Sequence, residues 1–279
     1  MSARIEFRPR SASELVDASF QVLRRGYLPL VTIMAIAYVP WLIVVMTVTR
    51  AVLLGAGDVS QRLGQTFTMM MLFSAGALVW FALIDGAMTA AASDGYLGHA
   101  IDIGSALRRM LARAPSLLGA AILRGLAIGI GFLFFFVPGV YFWAKYFAAP
   151  IAVVLEGRGP LEAMGRSSVL TAGEKWRVLR LLILVWGIYF VIGIAIQIVM
   201  SVFGASAADP RSPIFLVAQV VSALFTVLTY PLVAVAQTLL YYDLRIRKEG
   251  YDIELMAQQM GGDALGAGST GDRQRVPAF

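Results

Sequence analysis

The chain has 279 residues, 59% hydrophobic and only 14% charged, with a net charge of +6; a soluble domain carries about 25% charged residues. Leu, Ile, Val, Ala, Phe and Met in long runs replace the missing charge, the signature of a chain dissolved in lipid. With no cysteine, disulfides and thiolate chemistry are excluded, and the single histidine, His99, has no HxxE or HExxH spacing for a metal. The basic residues lie between apolar runs and not among stacking aromatics, so no nucleic-acid partner is expected.

In chain order, residues 11–25 read as an amphipathic helix. Ala12, Leu15, Val16, Phe20 and Leu23 share one face, and Glu14, Asp17, Gln21, Arg24 and Arg25 the other. Ser11 and Glu14 form a capping box for its start. The apolar run 27–49 follows; it is too long for a signal-peptide core of roughly 7–15 residues, so it is expected to stay in the membrane. About 20 helical residues cross a bilayer core of about 30 Å, and runs 67–92, 117–137, 181–203 and 214–240 also meet that length. Run 140–155 reaches only roughly 24 Å and follows the turn signal Val137-Pro138-Gly139. It reads as the second arm of a tight hairpin with 117–137, turning at or just inside the outer interface. The alternative is a re-entrant segment; parity argues against it, because losing a span would separate the termini.

Two more amphipathic segments lie in the connections. Residues 103–114 place Ile103, Ala106, Leu107, Met110 and Leu111 opposite Ser105, Arg108, Arg109 and Arg113, with Pro115 expected to end the helix. A third helix begins at Pro160, with Leu161, Met164 and Ser168 opposite Glu162 and Arg166. The chain therefore reads as three units of surface helix plus transmembrane hairpin. After run six, Tyr241-Tyr242 is an interfacial aromatic pair, 243–259 a charged helix, and 261–279 a disordered tail. Alternate connections, the termini included, hold 18 Lys/Arg and the others three, Arg50, Arg62 and Arg211. The positive-inside rule then puts both termini in the cytoplasm. The expected fold is all-α: a polytopic membrane helix bundle over residues 1–260, with about six transmembrane helices and cytoplasmic amphipathic surface helices.

Ionisable groups inside spans are costly and therefore functional candidates. Asp85 and Arg124 each lie seven residues from the inner end of their runs. At equal depth an ion pair is expected between them, either locking two helices or lining a polar cavity open to the cytoplasm. Lys145, in the short fourth run, has no carboxylate at its depth; it would snorkel or bond carbonyls near Pro138-Gly139. Arg24, Arg25, Arg108, Arg109, Arg113, Arg166, Lys175, Arg245 and Arg247 are the expected contacts to anionic headgroups. Ala121, Gly125 and Gly129 give run three a small-residue face for close helix contact. His99, with Asp94 and Asp102 nearby, reads as a solvated loop. The one GxGxxG, Gly266 to Gly271, lies in the polar tail and is a chance match.

Three segments carry a family resemblance: Arg8-Pro9-Arg10-Ser11-x-x-Glu14-Leu15-x-Asp17-x-x-Phe20, the stretch from Ala149-Pro150 through Leu155-Glu156-Gly157 to Ala163-x-x-Arg166-Ser167, and Leu239 to Asp252. They resemble the membrane domain associated with bacterial glycerophosphoryl diester phosphodiesterases, over nearly the whole chain up to about Gly261. In that family the phosphodiesterase activity belongs to a separate soluble barrel, and about 39 residues after the last span leave no room for one. The resemblance therefore implies a stand-alone membrane domain of the bacterial inner membrane. The expected function is a non-enzymatic, lipid-interacting or scaffolding module without a cofactor, its partners anionic lipids and other membrane proteins. The alternative is a transporter or exporter of a small or lipid-like solute.

Overall fold

The computed structural model describes residues 11–54, 59–202 and 212–250. Among them are eight helices and no strand: α1 (Ala12–Leu54), α2 (Val59–Tyr96), α3 (Ile103–Phe134), α4 (Phe136–Tyr146), α5 (Ala149–Glu156), α6 (Pro160–Thr171), α7 (Lys175–Val202) and α8 (Pro213–Glu249). Six stretches are long and apolar enough to cross a membrane: Ser13–Ala51, Gly64–Tyr96, Ile103–Phe134, Phe136–Glu156, Lys175–Val199 and Pro213–Glu249. Each overlies one of the six apolar runs. The chain is a multi-pass helical membrane protein.

Three helices depart from their expected limits. The surface helix 11–25 is continuous with the first span, bent at Gly26 (φ −121°, ψ 24°). Pro29 has no N–H to offer the carbonyl of Arg25 and its ring crowds that carbonyl, which opens the turn. The bend also admits Ile101, whose Cδ1 fills the place a Gly26 side chain would take. The second surface helix does not end at Pro115; α3 runs through it without a break. A proline inside a helix costs about 3 kcal/mol, but both sides of Pro115 pack on α2, through the Asp94–Arg109 ion pair below it and Leu117 against Gly86 above it. The charged helix expected from 243 is the last part of α8, which stops at Gly250 in the left-handed region (φ 64°). The rest of that expected helix, 251–259, and the expected tail, 261–279, lie outside the described residues.

The α3–α4 turn falls at Phe135, in extended backbone (φ −165°, ψ 160°), and not at Pro138-Gly139. Pro138 sits in the first turn of α4, where an N–H has no helical partner anyway. Gly139 lies beyond it, against α3: a Cβ on Gly131 would stand 2.8 Å from the Gly139 Cα. Two backbones meet here because neither residue has a side chain, the usual device for helix contact in lipid. Of the small-residue face expected on α3, Gly125 does meet Leu78 of α2, whereas Gly129 faces open space.

The core is concentrated at one end of the bundle, where α2, α5 and α8 end and α3, α6 and α7 begin. Five contacts define this basic end: Ser93 to Tyr242, Arg109 to Asp94, Arg113 to the carbonyl of Gly157, Tyr241 to Glu156 and Arg177 to Asp243. Helix α5 is at its centre, with every residue from Ala149 to Val154 buried against α2, α3 and α6. Alanines are frequent in this core: Ala87, Ala90, Ala91 and Ala92 on α2, Ala149 and Ala152 on α5, Ala234 and Ala236 on α8 are buried. Away from that end the spans turn large apolar side chains outward, among them Ile43, Met70, Leu126, Ile183, Ile194 and Val217. Without a bilayer such a surface would be an aggregation hazard; within one it is the lipid-facing side.

The surface helices bury part of their expected apolar faces, Leu15 and Leu23 on α1 and Ala106 and Met110 on α3, but not all of them. On α1 the buried stripe is Leu15, Ala18, Ser19 and Val22, and Phe20 is exposed. On α6 it is Ala163, Ser167, Leu170 and Thr171, while Leu161 and Val169 stand outside at 75% and 65% exposure. These helices therefore pack on the bundle with one stripe and leave a second apolar strip on the surface.

Candidate functional site

The site begins at a broken backbone. Pro150, in the first turn of α5, cannot donate to the carbonyl of Tyr146, and the helix is interrupted at Phe147 and Ala148. In lipid each freed polar group costs several kcal/mol unless it finds a partner. Helix α6 supplies partners for the groups on either side of the break, the Lys145 carbonyl and the Ala148 N–H. Ser167 Oγ donates to the carbonyl of Lys145 at 2.8 Å, Thr171 Oγ1 donates to the same oxygen at 3.2 Å, and the Ala148 N–H donates to Ser167 Oγ at 3.2 Å. Both hydroxyl residues are fully buried. Helix α6 is thus a structural part of the fourth span as well as a surface helix.

The same placement brings Arg166, one residue before Ser167, to Glu156 at the end of α5. Arg166 Nε lies 2.9 and 2.8 Å from the two Glu156 oxygens, and Nη2 lies 2.8 Å from Oε1. Arg158 Nε adds a contact at 2.6 Å, the Tyr241 hydroxyl donates to Oε1, and Arg166 also pairs with Glu249 of α8. Arg245 bridges Glu249 at 3.1 Å and reaches Glu156 at 3.9 Å. Hydrogen bonds that it donates to Glu249 and to Glu156 hold the Arg166 guanidinium still more firmly protonated than usual. Nearby, the buried Asp243 binds Arg177 at 3.0 Å and Arg247 at 2.9 Å. The turn at Gly157 that permits this is left-handed (φ 70°), and a side chain there would strike Arg113.

Several of the expected headgroup cations are members of this network. Arg166, with only 13% of its side chain exposed, and Arg245 and Arg247 are bound to protein carboxylates at the ends of α5 and α8. Arg109 is paired with Asp94, and Arg113 donates to the Gly157 carbonyl at 3.3 Å. Arg24, Arg25 and Arg108 are exposed, while Lys175 is half-buried and donates to the Tyr141 hydroxyl at 2.8 Å. Among these cations stand the exposed apolar side chains Leu111, Leu161, Val169 and Trp176.

The intramembrane candidates sit apart from that end. Asp85 accepts a hydrogen bond from the Tyr230 hydroxyl of α8 at 2.5 Å. Among the described residues no ion pair within contact distance joins it to Arg124, although the two interact electrostatically. The register explains why. Gly86 meets Leu117 and Gly125 meets Leu78, so Asp85 is level with residue 118 of α3 and Arg124 with residue 79 of α2. Six residues of helix separate them, about 9 Å. Arg124 Nε is buried without a partner, as is Trp186 Nε1, whose ring lies 6.3 Å from that of Tyr230. Lys145 turns to the Tyr146 ring at 5.0 Å and does not bond the expected carbonyls.

Cavities among the described residues lie at other places. One of about 740 Å³ lies at the α1 bend, lined by Arg25, Pro29, His99 and Ile101 among others. One of about 440 Å³ lies between α4 and α7. Asp85, Arg124 and Lys145 line neither. His99 is exposed, and its two neighbouring carboxylates have other work: Asp94 binds Arg109, and Asp102 accepts the Ser105 N–H at 2.7 Å as the cap of α3. That bond holds the Asp102 carboxyl below the usual carboxylate range. No group of three or more His, Asp or Glu placed to hold a metal occurs among the described residues.

Sequence reasoning missed Glu156, Tyr241, Asp243 and Tyr230 as interacting residues. Glu156 had a signal: it is the only carboxylate adjoining the apolar run 140–155. Tyr230 had none beyond its place beside Pro231.

No curated protein and no solved structure matches the chain. The resemblance to phosphodiesterase membrane domains stands on its quoted motifs alone. A family model does match, over residues 9–244, from just before the α1 cap to the last turns of α8, and the chain belongs to that family, described as Domain of unknown function (DUF7847).

Proposed function

We propose that the protein is a non-enzymatic module of the bacterial cytoplasmic membrane, with both termini in the cytoplasm, whose basic end engages anionic lipid headgroups. One observation carries this reading: Leu111, Leu161, Val169 and Trp176 are exposed in the same region as Arg24, Arg25, Arg108 and Lys175. Apolar side chains at headgroup depth beside cations are the pattern of interfacial helices, and each cation near an anionic leaflet is worth about 1 kcal/mol. The test is reconstitution into neutral phosphatidylcholine bilayers with and without phosphatidylglycerol. The anionic lipid raises the melting temperature of the wild type, and Arg24→Gln with Arg108→Gln reduces the gain. Equal melting in both lipids would refute the lipid role, and protease-accessible tags on opposite faces would refute the topology.

A second reading, a transporter of a small or lipid-like solute, is favoured by a pair of buried donor atoms without hydrogen-bond partners among the described residues, Arg124 Nε and Trp186 Nε1, on the helices that flank the Asp85–Tyr230 pair. A solute bearing an acceptor would satisfy them. Solute uptake into proteoliposomes that is lost in Arg124→Met would select this reading.

A further inference from the structure

We infer that the groove between α4 and α7 binds one acyl chain of an anionic phospholipid, with the lipid phosphate held at Lys175; this rests on the headgroup-facing reading of the basic end. The groove measures about 440 Å³, and its walls are Phe136, Val137 and Val140 from α4 with Trp176 and Leu179 from α7. Phe136, Val137 and Trp176 are each more than 70% exposed, so the groove opens sideways into lipid. Its lining contains one cation, Lys175, and no carboxylate.

Charge and position select the occupant. Lys175 does not snorkel freely. Its ammonium donates to the Tyr141 hydroxyl at 2.8 Å and rests 4.6 Å from the centre of the same ring. One of its three N–H groups is used, and two remain for a phosphate oxygen. Lys248 is held at the same turn by the carbonyl of Ala172, at 2.7 Å, with its ammonium 3.9 Å from the position a Gly173 Cβ would take. A second positive charge thus stands close to the groove mouth. Trp176 is the side chain that prefers the boundary between headgroup and acyl chain. An extended peptide would strand its backbone N–H and C=O groups against these apolar walls. An acyl chain has no such groups and places its one anion at the charged end.

The experiment uses the full chain in nanodiscs of phosphatidylcholine containing a minor fraction of brominated-chain lipid, with tryptophan quenching as readout. Trp176→Phe defines the share of emission that belongs to Trp176. At equal mole fraction, brominated phosphatidylglycerol quenches that share more than brominated phosphatidylcholine does. One cation's attraction corresponds to about a fivefold local enrichment of anionic lipid. Lys175→Gln brings the two lipids to equal quenching, and Val140→Phe, which fills the groove, weakens quenching by both. Unchanged melting temperatures show that these variants fold. Equal quenching by the two lipids in the wild type, or a preference that survives Lys175→Gln, overturns the proposal. If Trp176 shows no preference while phosphatidylglycerol still stabilises the protein through Arg24 and Arg108, the groove site falls and the basic-end reading stands. If both effects are absent, both fall. Displacement of the brominated lipid by a second copy or another transmembrane helix, seen as quenching that falls with protein density, also refutes the assignment.

Discussion

Replacing Glu156 by alanine tests whether the ionic network holds the basic end together. The carboxylate, 13% exposed, receives Arg166 through two nitrogens, Arg158 and the Tyr241 hydroxyl. These contacts are not equal. Arg158 is 41% exposed, so its bond belongs with surface pairs worth about 0–1 kcal/mol. Tyr241 is fully buried and loses its acceptor, at about 1–3 kcal/mol. Breaking a buried ion pair costs about 3–5 kcal/mol, but Arg166 keeps Glu249 as a partner, so its share lies below that range. The expected total is about 3 kcal/mol, or about 6–10 °C in melting temperature for a chain of this size. Intrinsic tryptophan fluorescence of the purified protein during heating provides the readout. Glu156→Gln, which keeps acceptor oxygen and volume, falls between wild type and alanine. Glu162→Ala, which loses only an exposed capping bond from the Gly159 N–H, costs less, up to about 4 °C. A Glu156→Ala protein that melts with the wild type would show that the network forms without stabilising the fold.

Tyr230→Phe leaves Asp85 without its donor and lowers stability by about 1–3 kcal/mol, whereas Arg124→Met removes an unpartnered buried group and is neutral or stabilising; thermal melts of the two variants check the contrast. Gly131→Ala forces α3 and α4 apart at a cost of about 1–3 kcal/mol, while Gly129→Ala, facing open space, gains up to about 1 kcal/mol of helix propensity. Equal melting of the two alanine variants would refute the close helix approach. Asp102→Ala speeds hydrogen exchange at the Ser105 amide, and Asp102→Asn largely preserves protection. Because folding depresses the Asp102 pKa, the cap is intact above the ordinary carboxylate range near about 3.9 and is lost as pH falls through the lower folded value. Protection at Ser105 that is insensitive to acid below that range would contradict the capping role.

The spans were legible because lipid imposes one length and one polarity on them. The exposure of Arg24, Arg25 and Arg108 was legible because each lies opposite the apolar stripe of its helix. What could not be read was register. Counting inward from the ends of apolar runs put Asp85 and Arg124 at one depth, but α3 begins 14 residues before its apolar run, at Ile103. The contacts of Gly86 with Leu117 and Gly125 with Leu78 set the true levels. Parts of the amphipathic helices, α6 above all, were misjudged for a related reason. Amphipathic periodicity says which residues prefer to be buried without saying whether lipid or protein buries them. On α6 it pointed to Leu161, which remains exposed, and away from Ser167 and Thr171, which are buried because a broken helix beside them needs hydroxyl donors.

That broken helix also explains why the short fourth span is stable at all. Its two pieces, α4 and α5, total 19 residues with an interruption, and Pro150 leaves carbonyls that hydrocarbon cannot solvate. The chain answers by surrounding α5 with protein instead of lipid, through packing on α2 and α3 and hydroxyls on α6. Burial then forces the Glu156 carboxylate at the end of α5 into a site where it must be paired, and Arg166 is delivered by the same helix that repairs the break. The polar network at the basic end is therefore a consequence of the proline, and the two are coupled. A variant that heals the break, such as Pro150→Ala, removes the need for Ser167 as a partner, so Ser167→Ala should cost less in that background than in the wild type. A double-mutant cycle measures the difference. If the two costs prove additive, Ser167 is buried for packing alone, and the repair of the backbone must be assigned to other groups.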